Sequence, residues 1–476
     1  MIATAELDAA EEILIIAGEG ERPARASLVG ARARVEARLT GRGKTWKARF
    51  ALRASRWNGP ELPLPAGEYR IEIPGAEIAD DIPMTVLTGL RISTSGSDVV
   101  VGPPVDPELE TREAALAVER RYAAHTAPLE NAVFFESFYG RVAGCNPLAI
   151  DRELARVAPD VVRYWSVVDL SVEVPDGAIP VVEGSAAWWR ARSAARLLVV
   201  NDWLRRLFVR RPGQRVLQTW HGTPLKRLAL HRRGFAPRRW GAIVKESRRW
   251  DALLAQNPYA ARILAKAYAF LGRPVWVEGY PRNDVLVTGD GGATRERLGI
   301  AADERVLIYA PTWRDDREQM VDFVDPALLA EQTGSVVLVR GHTRTLQPGR
   351  DTSGPRVIDV TGFPDTSSLL VAADALITDY SSVMFDFSVT GKPMIFLVPD
   401  LEHYRGELRG FYFDLVERAP GPVVRTQEEL VDALAEDPSA YAGRYASWRA
   451  RFNAREDGRA AERVVARILD QGFVAR

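Results

Sequence analysis

The sequence predicts an α/β protein in which two doubly wound domains face a cleft, preceded by a small all-β domain. The chain has 476 residues, which is more than a single hydrophobic core ordinarily serves. Residues 1–105 carry short alternating apolar runs separated by Gly, Pro and Asn, a pattern typical of an antiparallel β domain. The remainder alternates strand-like and helix-like runs, which favours parallel sheets covered by helices.

The composition is that of a globular protein, with 46% hydrophobic and 26% charged residues and a net charge of zero. The single cysteine, Cys145, excludes internal disulfides and Cys-based zinc clusters, and we expect it to be a buried small side chain. No apolar run reaches the roughly 18 to 20 residues of a membrane span, and the start of the chain lacks the basic segment of a signal peptide. We therefore expect a cytoplasmic protein.

We predict that residues 1–105 form an accessory domain with the shape of an immunoglobulin-like sandwich. Its apolar runs are separated by turn residues at intervals of about 10 to 20 residues, as in antiparallel sandwiches. The segment holds no grouping of His, Cys or paired carboxylates that suggests catalysis. Gly-Pro-Pro-Val-Asp-Pro at 102–107 then predicts a stiff linker.

The rest of the chain is predicted to form two domains, residues 106–274 and residues 275–476. After a connecting helix at 108–127, the strands of the first are expected at 132–135, 161–167, 179–182, 196–200 and 215–220. The strands of the second are expected at 275–280, 306–310, 335–340, 356–360, 375–378 and 393–398. Two such domains facing a cleft are the arrangement of the two-domain nucleotide-dependent transferases. The helical tail, from Leu430 to Phe473, is expected to cross back and brace the first domain.

The stretch around which the chain is organised is Trp-His-Gly-Thr-Pro at 220–224, which follows a short apolar run. This pattern predicts a buried strand that delivers His221 to the edge of a sheet where open α/β folds place their chemistry. Imidazole titrates near neutral pH, so His221 suits proton transfer. For an isolated histidine, a purely structural role in the core is the alternative. His342 and a helix start at 379–382 also follow strand-like runs, and this company favours catalysis.

A candidate phosphate site follows the strand that ends near residue 378. We expect a tight turn at Asp379 and a helix that opens at Ser381 and Ser382. Free backbone N–H groups and the positive end of the helix dipole favour an anion there. Asp386 lies one turn further on, where its carboxylate can accept from the ribose hydroxyls of a nucleotide. The alternative is that Ser381 is an ordinary N-cap.

Three further loops follow strands and carry polar side chains to the same edge. For each loop taken alone, an ordinary surface turn is the favoured interpretation. Together the loops offer the positive charge and positioning that phosphoryl transfer requires. The residues concerned are Arg282 and Asn283, Thr312 and Arg314, and Arg340 and His342.

Taken together, these motifs resemble those of the CDP-glycerol glycerophosphotransferases, the teichoic acid primases and polymerases. The motifs occur in the family's order, at 220–226, 279–284, 309–315, 340–342 and 378–386. Segments at 135–138, 146–147 and 456–458 look like the entry and the closing helix of the same unit. The resemblance extends from residue 131 to the C-terminus, and several motifs in order make it specific.

The resemblance implies a GT-B fold in which the second domain binds most of CDP-glycerol. An acceptor hydroxyl attacks the β-phosphate, and CMP leaves. His221 is implied to be the general base, and His342 is implied to contact the transferring phosphate or the leaving group. The diphosphate is implied to be held by Arg282, Thr312, Ser381 and Ser382, with Asp386 on the ribose. The other substrate-binding residues implied by the motifs are Gly222, Thr223, Lys226, Asn283, Arg314, Arg340 and Asp379.

Two features depart from the family pattern. Thr343 stands where we expect a proline after His342, and residues 1–105 lie outside the shared unit. We expect no bound cofactor. A Mg²⁺ ion recruited to the diphosphate by Asp315 and Asp316 is an alternative to charge neutralisation by arginines and the helix end.

A basic region at 203–250 surrounds the first motif, and within and beside it we count only Asp202 and Glu246 as opposing charges. Interleaved Trp, Leu and Phe side chains give it the character of segments that lie on anionic lipid, where each cation contributes about 1 kcal/mol. A solvated charged face and RNA binding are the alternatives. Since the resemblance implies a lipid-linked acceptor, we favour the membrane over nucleic acid, and expect peripheral attachment to the inner face of a bacterial membrane. Its basic residues are Arg205, Arg206, Arg210, Arg211, Arg215, Lys226, Arg227, Arg232, Arg233, Arg238, Arg239, Lys245, Arg248 and Arg249.

The expected activity is transfer of glycerol phosphate to a hydroxyl of a lipid-linked glycan or a growing polymer of the cell wall or capsule. Three alternatives stay open on the sequence. A CDP-ribitol enzyme would share the diphosphate contacts, and a GT-B glycosyltransferase would use a nucleotide sugar. An inactive donor-binding scaffold, recruited through its β domain, is the non-enzymatic alternative.

Overall fold

A computed structural model describes residues 2–105, 109, 111–124, 128–234, 236–312, 323–341, 353–404, 406 and 410–476. None of the helices in these ranges combines the length and apolar character of a membrane span.

The N-terminal domain consists of two sheets that share one core. The strands are β1 (Ile2–Asp8), β2 (Ile13–Glu19), β3 (Ser27–Gly30), β4 (Arg34–Glu36), β5 (Arg38–Arg42), β6 (Thr45–Ala51), β7 (Arg53–Ser55), β8 (Glu61–Pro63), β9 (Gly67–Glu72), β10 (Glu77–Ile78), β11 (Thr85–Val86), β12 (Arg91–Ser95) and β13 (Asp98–Gly102). One sheet has the order β10-β1-β2-β6-β5 and the other β11-β12-β13-β9-β3-β4, while β7 and β8 form a separate hairpin. Pairing is antiparallel except between β1 and β10.

Alternation along the strands explains why the two sheets pack face to face. In β6 the inward positions are Trp46, Ala48 and Phe50, which are buried, while their neighbours face outwards. These side chains meet Tyr69 and Ile92 of the other sheet in a single cluster. The all-β domain that the sequence predicts is therefore present.

The first lobe is a seven-stranded parallel sheet with helices. Its strands and helices are α1 (Arg112–Ala124), β14 (Glu130–Glu136), α2 (Cys145–Val157), β15 (Val162–Val167), β16 (Ile179–Val182), α3 (Ala186–Ala194), β17 (Ala195–Val200), β18 (Arg215–Gln218), α4 (Pro237–Ser247), β19 (Ala252–Ala255), α5 (Pro258–Ala267) and β20 (Val275–Val277). The strand order is β16-β15-β14-β17-β18-β19-β20, and every pair is parallel.

The second lobe is a six-stranded parallel sheet. Its strands and helices are α6 (Asp284–Thr288), α7 (Gly292–Arg297), β21 (Val306–Ala310), α8 (Pro326–Thr333), β22 (Val336–Val339), β23 (Val357–Asp359), α9 (Thr366–Ala372), β24 (Ala375–Thr378), α10 (Val383–Phe387), β25 (Met394–Leu397), α11 (Leu401–His403), α12 (Leu415–Arg418), β26 (Val423–Val424), α13 (Gln427–Ala435), α14 (Ala442–Phe452) and α15 (Ala460–Asp470). The strand order is β23-β22-β21-β24-β25-β26.

The structure corrects one strand assignment. The strand at Val275, which we predicted to open the second sheet, pairs in parallel with β19 and is the edge strand of the first sheet. Trp276 lies in the core of the first lobe. A short apolar run carries no information about which of two sheets it joins, so the prediction placed the start of the second domain one strand too early.

The C-terminal helix α15 returns to the first lobe, as the sequence predicts. Its buried residues Val464, Val465 and Ile468 belong to the same cluster as Val133 and Leu217 of the first sheet. The N–H groups of residues 460 and 461 donate to the Asp284 carboxylate at 2.8 Å each. This carboxylate caps the amino end of α15 and ties the tail to the segment that joins the lobes.

Candidate active site

The two lobes make a close contact between the turns that follow β18 and β24. A Cβ atom added at Gly222 would lie 2.6 Å from the Ser382 hydroxyl oxygen and 3.0 Å from its Cβ. Only glycine permits the first turn to approach the second so closely. The Trp-His-Gly-Thr-Pro motif of the first lobe therefore lies directly against the paired serines of the second.

The imidazole of His221 is oriented by the neighbouring strand end. Its Nδ1 atom lies 2.6 Å from the carbonyl oxygen of Asn201, which follows β17, the parallel neighbour of β18. A carbonyl oxygen only accepts, so Nδ1 carries the proton and Nε2 keeps a free lone pair in the neutral ring. Trp220 stacks on the imidazole with ring centroids 4.6 Å apart, and Phe138 lies on it at 5.6 Å.

The surroundings of His221 favour its neutral form. Burial lowers the pKa of His221 below its ordinary value, and the charge of Arg282 lowers it further, against the opposing effects of Asp202 and the Asn201 carbonyl. A neutral imidazole with Nε2 unprotonated is the state that a general base requires. His221 is therefore prepared, at neutral pH, to accept a proton at Nε2.

The backbone around the imidazole is held in an unusual conformation. Phe138, Tyr139, Cys145 and Trp220 have φ values of 47°, 59°, 61° and 53°. Side chains with a Cβ avoid this left-handed region, and each such residue costs of order 1 to 3 kcal/mol. Strain of this kind persists where the surrounding structure holds it in place, and clusters of such residues are typical of functional sites.

Arg282 connects the histidine loop to the second lobe. Its guanidinium donates to the carbonyl oxygen of His221 at 3.0 Å, to Cys145 Sγ at 3.0 Å and to Asp386 at 2.7 Å. Burial acts to lower the pKa of Arg282, but the Asp386 carboxylate, together with Cys145 and Tyr280, outweighs this effect and the net pKa is raised. Arg282 is thus a permanent cation that fixes the backbone at His221.

Asp386 is enclosed by side chains of the protein. Its second oxygen accepts from Asn283 Nδ2 at 3.1 Å, and the same amide donates to Glu456 at 3.1 Å. The Asp386 side chain is only 8% exposed, so in this structure its carboxylate serves Arg282 and Asn283. Its predicted contact with a ribose stays a prediction. Sequence reasoning missed this network because complementary residues about a hundred positions apart give no local signal.

Glu456 belongs to the same network. Its Oε1 accepts from the backbone N–H of Tyr280 at 3.2 Å as well as from Asn283. Burial raises the pKa of Glu456 to about 8. The segment at 456–458, which the sequence likened to the family's closing helix, instead lies between α14 and α15, and it supplies a carboxyl group with a raised pKa to the centre of the molecule.

The turn after β24 is organised by Asp379. Its carboxylate accepts from the backbone N–H of Thr312 at 2.9 Å and from that of Tyr380 at 2.5 Å, so the loops after β21 and β24 are joined. Ser381 Oγ accepts from the N–H of Val383 at 3.4 Å, while Ser382, at the start of α10, makes no capping bond through its side chain. The structure thus brings Thr312, Asp379 and the two serines together, as predicted.

One predicted site residue, Arg340, has its contacts inside the protein. The guanidinium of Arg340 donates to the carbonyl oxygens of Val360 and Phe363 and to Thr366, and burial lowers its pKa to about 10. The loop between β23 and α9 is thereby fixed. His342 and Arg314, like Asp315 and Asp316, lie outside the described residues, and their roles stay predictions.

Thr223 and Lys226 also serve contacts within and between the lobes. Thr223 Oγ1 donates to Gln256 at 2.5 Å and accepts from Asn257 at 3.1 Å. Lys226 forms an isolated antiparallel β-bridge with Phe411 of the second lobe. The motif also predicts that Thr223 and Lys226 contact the substrate, and this stays a prediction.

In the basic region at 203–250, more of the arginine charges are paired with carboxylates than the sequence indicates. Arg205 and Arg206 pair with Glu183 at 3.1 and 3.0 Å. Arg210 and Arg215 pair with Asp251 at 2.6 and 3.3 Å. The prediction that Asp202 and Glu246 are the only opposing charges is wrong, because the fold brings Glu183 from the end of β16 and Asp251 from just beyond the region.

A smaller basic surface remains on α4. Ile243 is buried against the first lobe, whereas Arg238, Lys245 and Arg248 are exposed and Trp240 is 39% exposed. We call these four exposed residues the α4 surface. It combines cations with an aromatic side chain, which is the composition of a surface that contacts anionic lipid.

The fold and the site define a two-lobed α/β protein in which a histidine-bearing turn after one parallel sheet lies against a serine turn after the other. Residues 121–470 match the family described as CDP-Glycerol:Poly(glycerophosphate) glycerophosphotransferase. The chain belongs to this family, and the resemblance predicted from its motifs is confirmed.

Relatives and solved structures agree with this assignment. The chain is 37% identical over 358 residues to a teichoic acid poly(glycerol phosphate) polymerase of Bacillus subtilis (strain 168), covering 70% of this chain and 48% of the relative. It is 35% identical over 370 residues to a teichoic acid glycerol-phosphate transferase of Staphylococcus aureus (strain NCTC 8325 / PS 47), covering 72% and 94%. The structure of the wall teichoic acid polymerase TagF superimposes with a TM-score of 0.69 at 29% identity, covering 75% of this chain and 94% of that one.

These coverages locate the shared unit. The chain spans about half the length of the Bacillus subtilis polymerase, 48%, but nearly all of the Staphylococcus aureus transferase, 94%. The family match begins at residue 121, so the N-terminal β domain is an addition to the shared unit.

Proposed function

We propose that the protein transfers glycerol phosphate from CDP-glycerol to a hydroxyl group of a lipid-linked acceptor or growing teichoic-acid-like polymer, with release of CMP. The acceptor oxygen forms a bond to the β-phosphorus, the bond from that phosphorus to the oxygen of CMP breaks, and the hydroxyl proton passes to the enzyme. Family membership and the glycerol-phosphate relatives support the donor and the reaction.

The observation that carries the proposal is the contact of His221 Nδ1 with the Asn201 carbonyl oxygen at 2.6 Å. This contact leaves Nε2 free to take the acceptor proton, and burial lowers the pKa of His221 and so favours the neutral ring. Arg282 holds the same loop through the His221 carbonyl. The loop lies against Ser382, beside the turn that we propose to bind the diphosphate.

We propose that the remaining roles follow the family pattern. Ser381, Ser382 and the backbone at Thr312 hold the diphosphate, and His342 contacts the transferring phosphate or CMP. Arg282 supplies positive charge beside this site while it fixes the histidine loop. Asp386 then acts on the donor through Arg282 and Asn283, with direct contact to the ribose requiring a shift of this pair.

We also propose that the protein works at the inner face of the bacterial membrane. The α4 surface presents Arg238, Lys245 and Arg248 with Trp240, and an acceptor embedded in lipid requires the enzyme to reach that surface. Each cation near an anionic leaflet contributes about 1 kcal/mol. We further propose an immunoglobulin-like class for the N-terminal sandwich.

Donor turnover tests the proposed function directly. Purified protein is incubated with CDP-glycerol and a lipid-linked acceptor, and CMP release is followed beside parallel reactions with CDP-ribitol and with nucleotide sugars. We expect CMP from CDP-glycerol at the highest rate. Faster turnover of CDP-ribitol would reassign the donor, and turnover of a nucleotide sugar alone would indicate a glycosyltransferase. Donor binding without turnover of any of them would indicate a scaffold.

A further inference from the structure

The N-terminal domain reaches the second lobe through the tip of one hairpin. In the turn between β7 and β8, the N–H of Gly59 donates to the carbonyl oxygen of Arg56 at 3.0 Å. The two central residues, Trp57 and Asn58, have φ values of 49° and 51°. A hairpin turn with positive φ at both central positions ordinarily carries Asn and Gly, so tryptophan at the first of them is an exception.

The tryptophan ring lies on the backbone of the second lobe. Trp57 packs against the core cluster of that lobe and makes an edge contact with Phe363, with ring centroids 5.6 Å apart. A Cβ atom at Gly362 would lie 2.9 Å from the indole. The strained tip is thus stabilised by its contact with the loop at residues 360–365, which joins β23 to α9.

Arg297 connects the Trp57 turn to both lobes. From α7 of the second lobe it donates to the carbonyl oxygen of Trp57 at 2.8 Å and pairs with Glu173 of the first lobe at 3.1 Å. Its guanidinium also lies 5.3 Å from the centroid of the Phe363 ring. The hairpin tip, the first lobe and the second lobe therefore meet at a single arginine.

The N-terminal domain also contacts the first lobe, and these contacts fix the position of the hairpin that carries Trp57. Asp169, which follows β15, accepts from Arg32 at 3.3 Å and from the backbone N–H of residue 66 at 2.9 Å. Arg56, next to the tryptophan, donates to the carbonyl oxygen of Ser171 at 3.2 Å. A domain fixed in this way holds Trp57 against the second lobe.

The loop that Trp57 covers lies close to a segment that is bonded to the histidine loop. On its other side, the Pro364 carbonyl oxygen lies 3.3 Å from where a Cβ at Gly144 would be. The next residue, Cys145, accepts from Arg282, which also donates to the carbonyl oxygen of His221. Displacement of the loop would thus be transmitted to the backbone that orients the imidazole.

We propose that Trp57 is a positioning residue of the transfer reaction, acting through the loop at 360–365. This inference rests on the proposed function and gives the N-terminal domain, which lies outside the shared family unit, a part in that function. The contact path reaches the backbone of the histidine loop through Arg282. Trp57 therefore affects the rate of transfer more than the binding of the donor.

The test uses the full chain with Trp57→Ala, Trp57→Phe and a control, Met84→Ala, whose side chain is 48% exposed on the same domain. We expect kcat for CDP-glycerol to fall about tenfold or more in Trp57→Ala, since small misplacements cost this much. KM for the donor should change less than about twofold, and Trp57→Phe should recover most of the rate. A wild-type kcat in Trp57→Ala, or the same loss in Met84→Ala, would overturn the proposal.

Hydrogen exchange provides a second readout that does not depend on turnover. The N–H of Gly341 donates to Thr361 at 2.9 Å and that of Phe363 to Val360 at 3.0 Å. Both amides should exchange faster in Trp57→Ala while those of β24 stay protected. Unchanged exchange at both would overturn the proposal. If wild type releases no CMP, the proposed function fails, and the exchange result still decides whether Trp57 orders this loop.

Discussion

Arg282 and Asp386 form a buried ion pair, with a nitrogen–oxygen distance of 2.7 Å and side chains 12% and 8% exposed. Arg282 belongs to the segment that joins the lobes, and Asp386 lies on α10 of the second lobe. Because the same guanidinium also holds the His221 carbonyl, the pair links the proposed base to the proposed donor site.

Replacing Asp386 by Asn should destabilise the protein and slow the reaction. The substitution leaves the Arg282 charge buried without its counterion, and breaking a buried pair from one side costs about 3 to 5 kcal/mol. Chemical denaturation measures the loss. The matched control is Glu462→Gln, which removes the carboxylate of the exposed pair with Arg459 and should leave stability near wild type. An equal loss of stability in the two variants would show that the buried pair contributes no more to stability than the exposed pair.

Replacing Gly222 by Ala should impair turnover by separating the two turns. The new Cβ would lie 2.6 Å from Ser382 Oγ, so one of the two turns must move. We expect kcat/KM to fall about tenfold or more as a result. Gly443→Ala is the control, because a Cβ there meets nothing within 4 Å. Wild-type turnover in Gly222→Ala would mean that the contact between the turns is dispensable.

The sequence predicted the parts of the site that depend on strand ends. Parallel strands bring their carboxyl ends to one edge, so the loops of the second sheet that carry Thr312 and Asp379 could be expected to converge. The pairing of Arg282 with Asp386, and of Arg210 with Asp251, depends on how the elements pack in three dimensions. Local patterns do not encode that packing.

The sequence also could not show which sheet the strand at Val275 joins, because strand pairing depends on the three-dimensional packing. Val275–Val277 is a three-residue apolar run, and its assignment to the first sheet depends on its pairing with β19. The contact of Trp57 with the second lobe was equally invisible, since a tryptophan in a hairpin turn of a predicted accessory domain gives no sign of its partner. The helical tail was predictable because its periodic apolar face required a surface to cover.

Glu456 should make stability fall as the pH rises through neutrality. Its pKa is raised from 4.5 to about 8 by burial, so the folded protein binds a proton that the unfolded chain has released above about pH 4.5. This contribution is fully present below the unfolded pKa and is lost as the pH approaches 8. Glu456→Gln, which keeps the neutral shape, should flatten the dependence between pH 5 and 8, as seen by denaturation at each pH. An unchanged slope, matching that of Glu462→Gln, would contradict the assignment.

The α4 surface should control membrane binding. The double substitution Arg238→Gln and Lys245→Gln removes two cations, worth about 2 kcal/mol together or roughly 30-fold in affinity. Sedimentation with vesicles containing phosphatidylglycerol measures the change, and added salt should weaken wild-type binding. Arg38→Gln with Lys44→Gln removes the same charge from exposed positions of the N-terminal domain. If both double variants bind equally well, the α4 surface is not the contact.

We propose above all that His221 removes the proton from the acceptor hydroxyl. The most direct measurement is CMP release from CDP-glycerol by His221→Ala, with donor binding followed in parallel by calorimetry. A general base contributes about 10² to 10⁴-fold, so kcat should fall by that factor while donor affinity stays within about threefold of wild type. Undiminished CMP release by His221→Ala, with donor bound as before, would contradict the account.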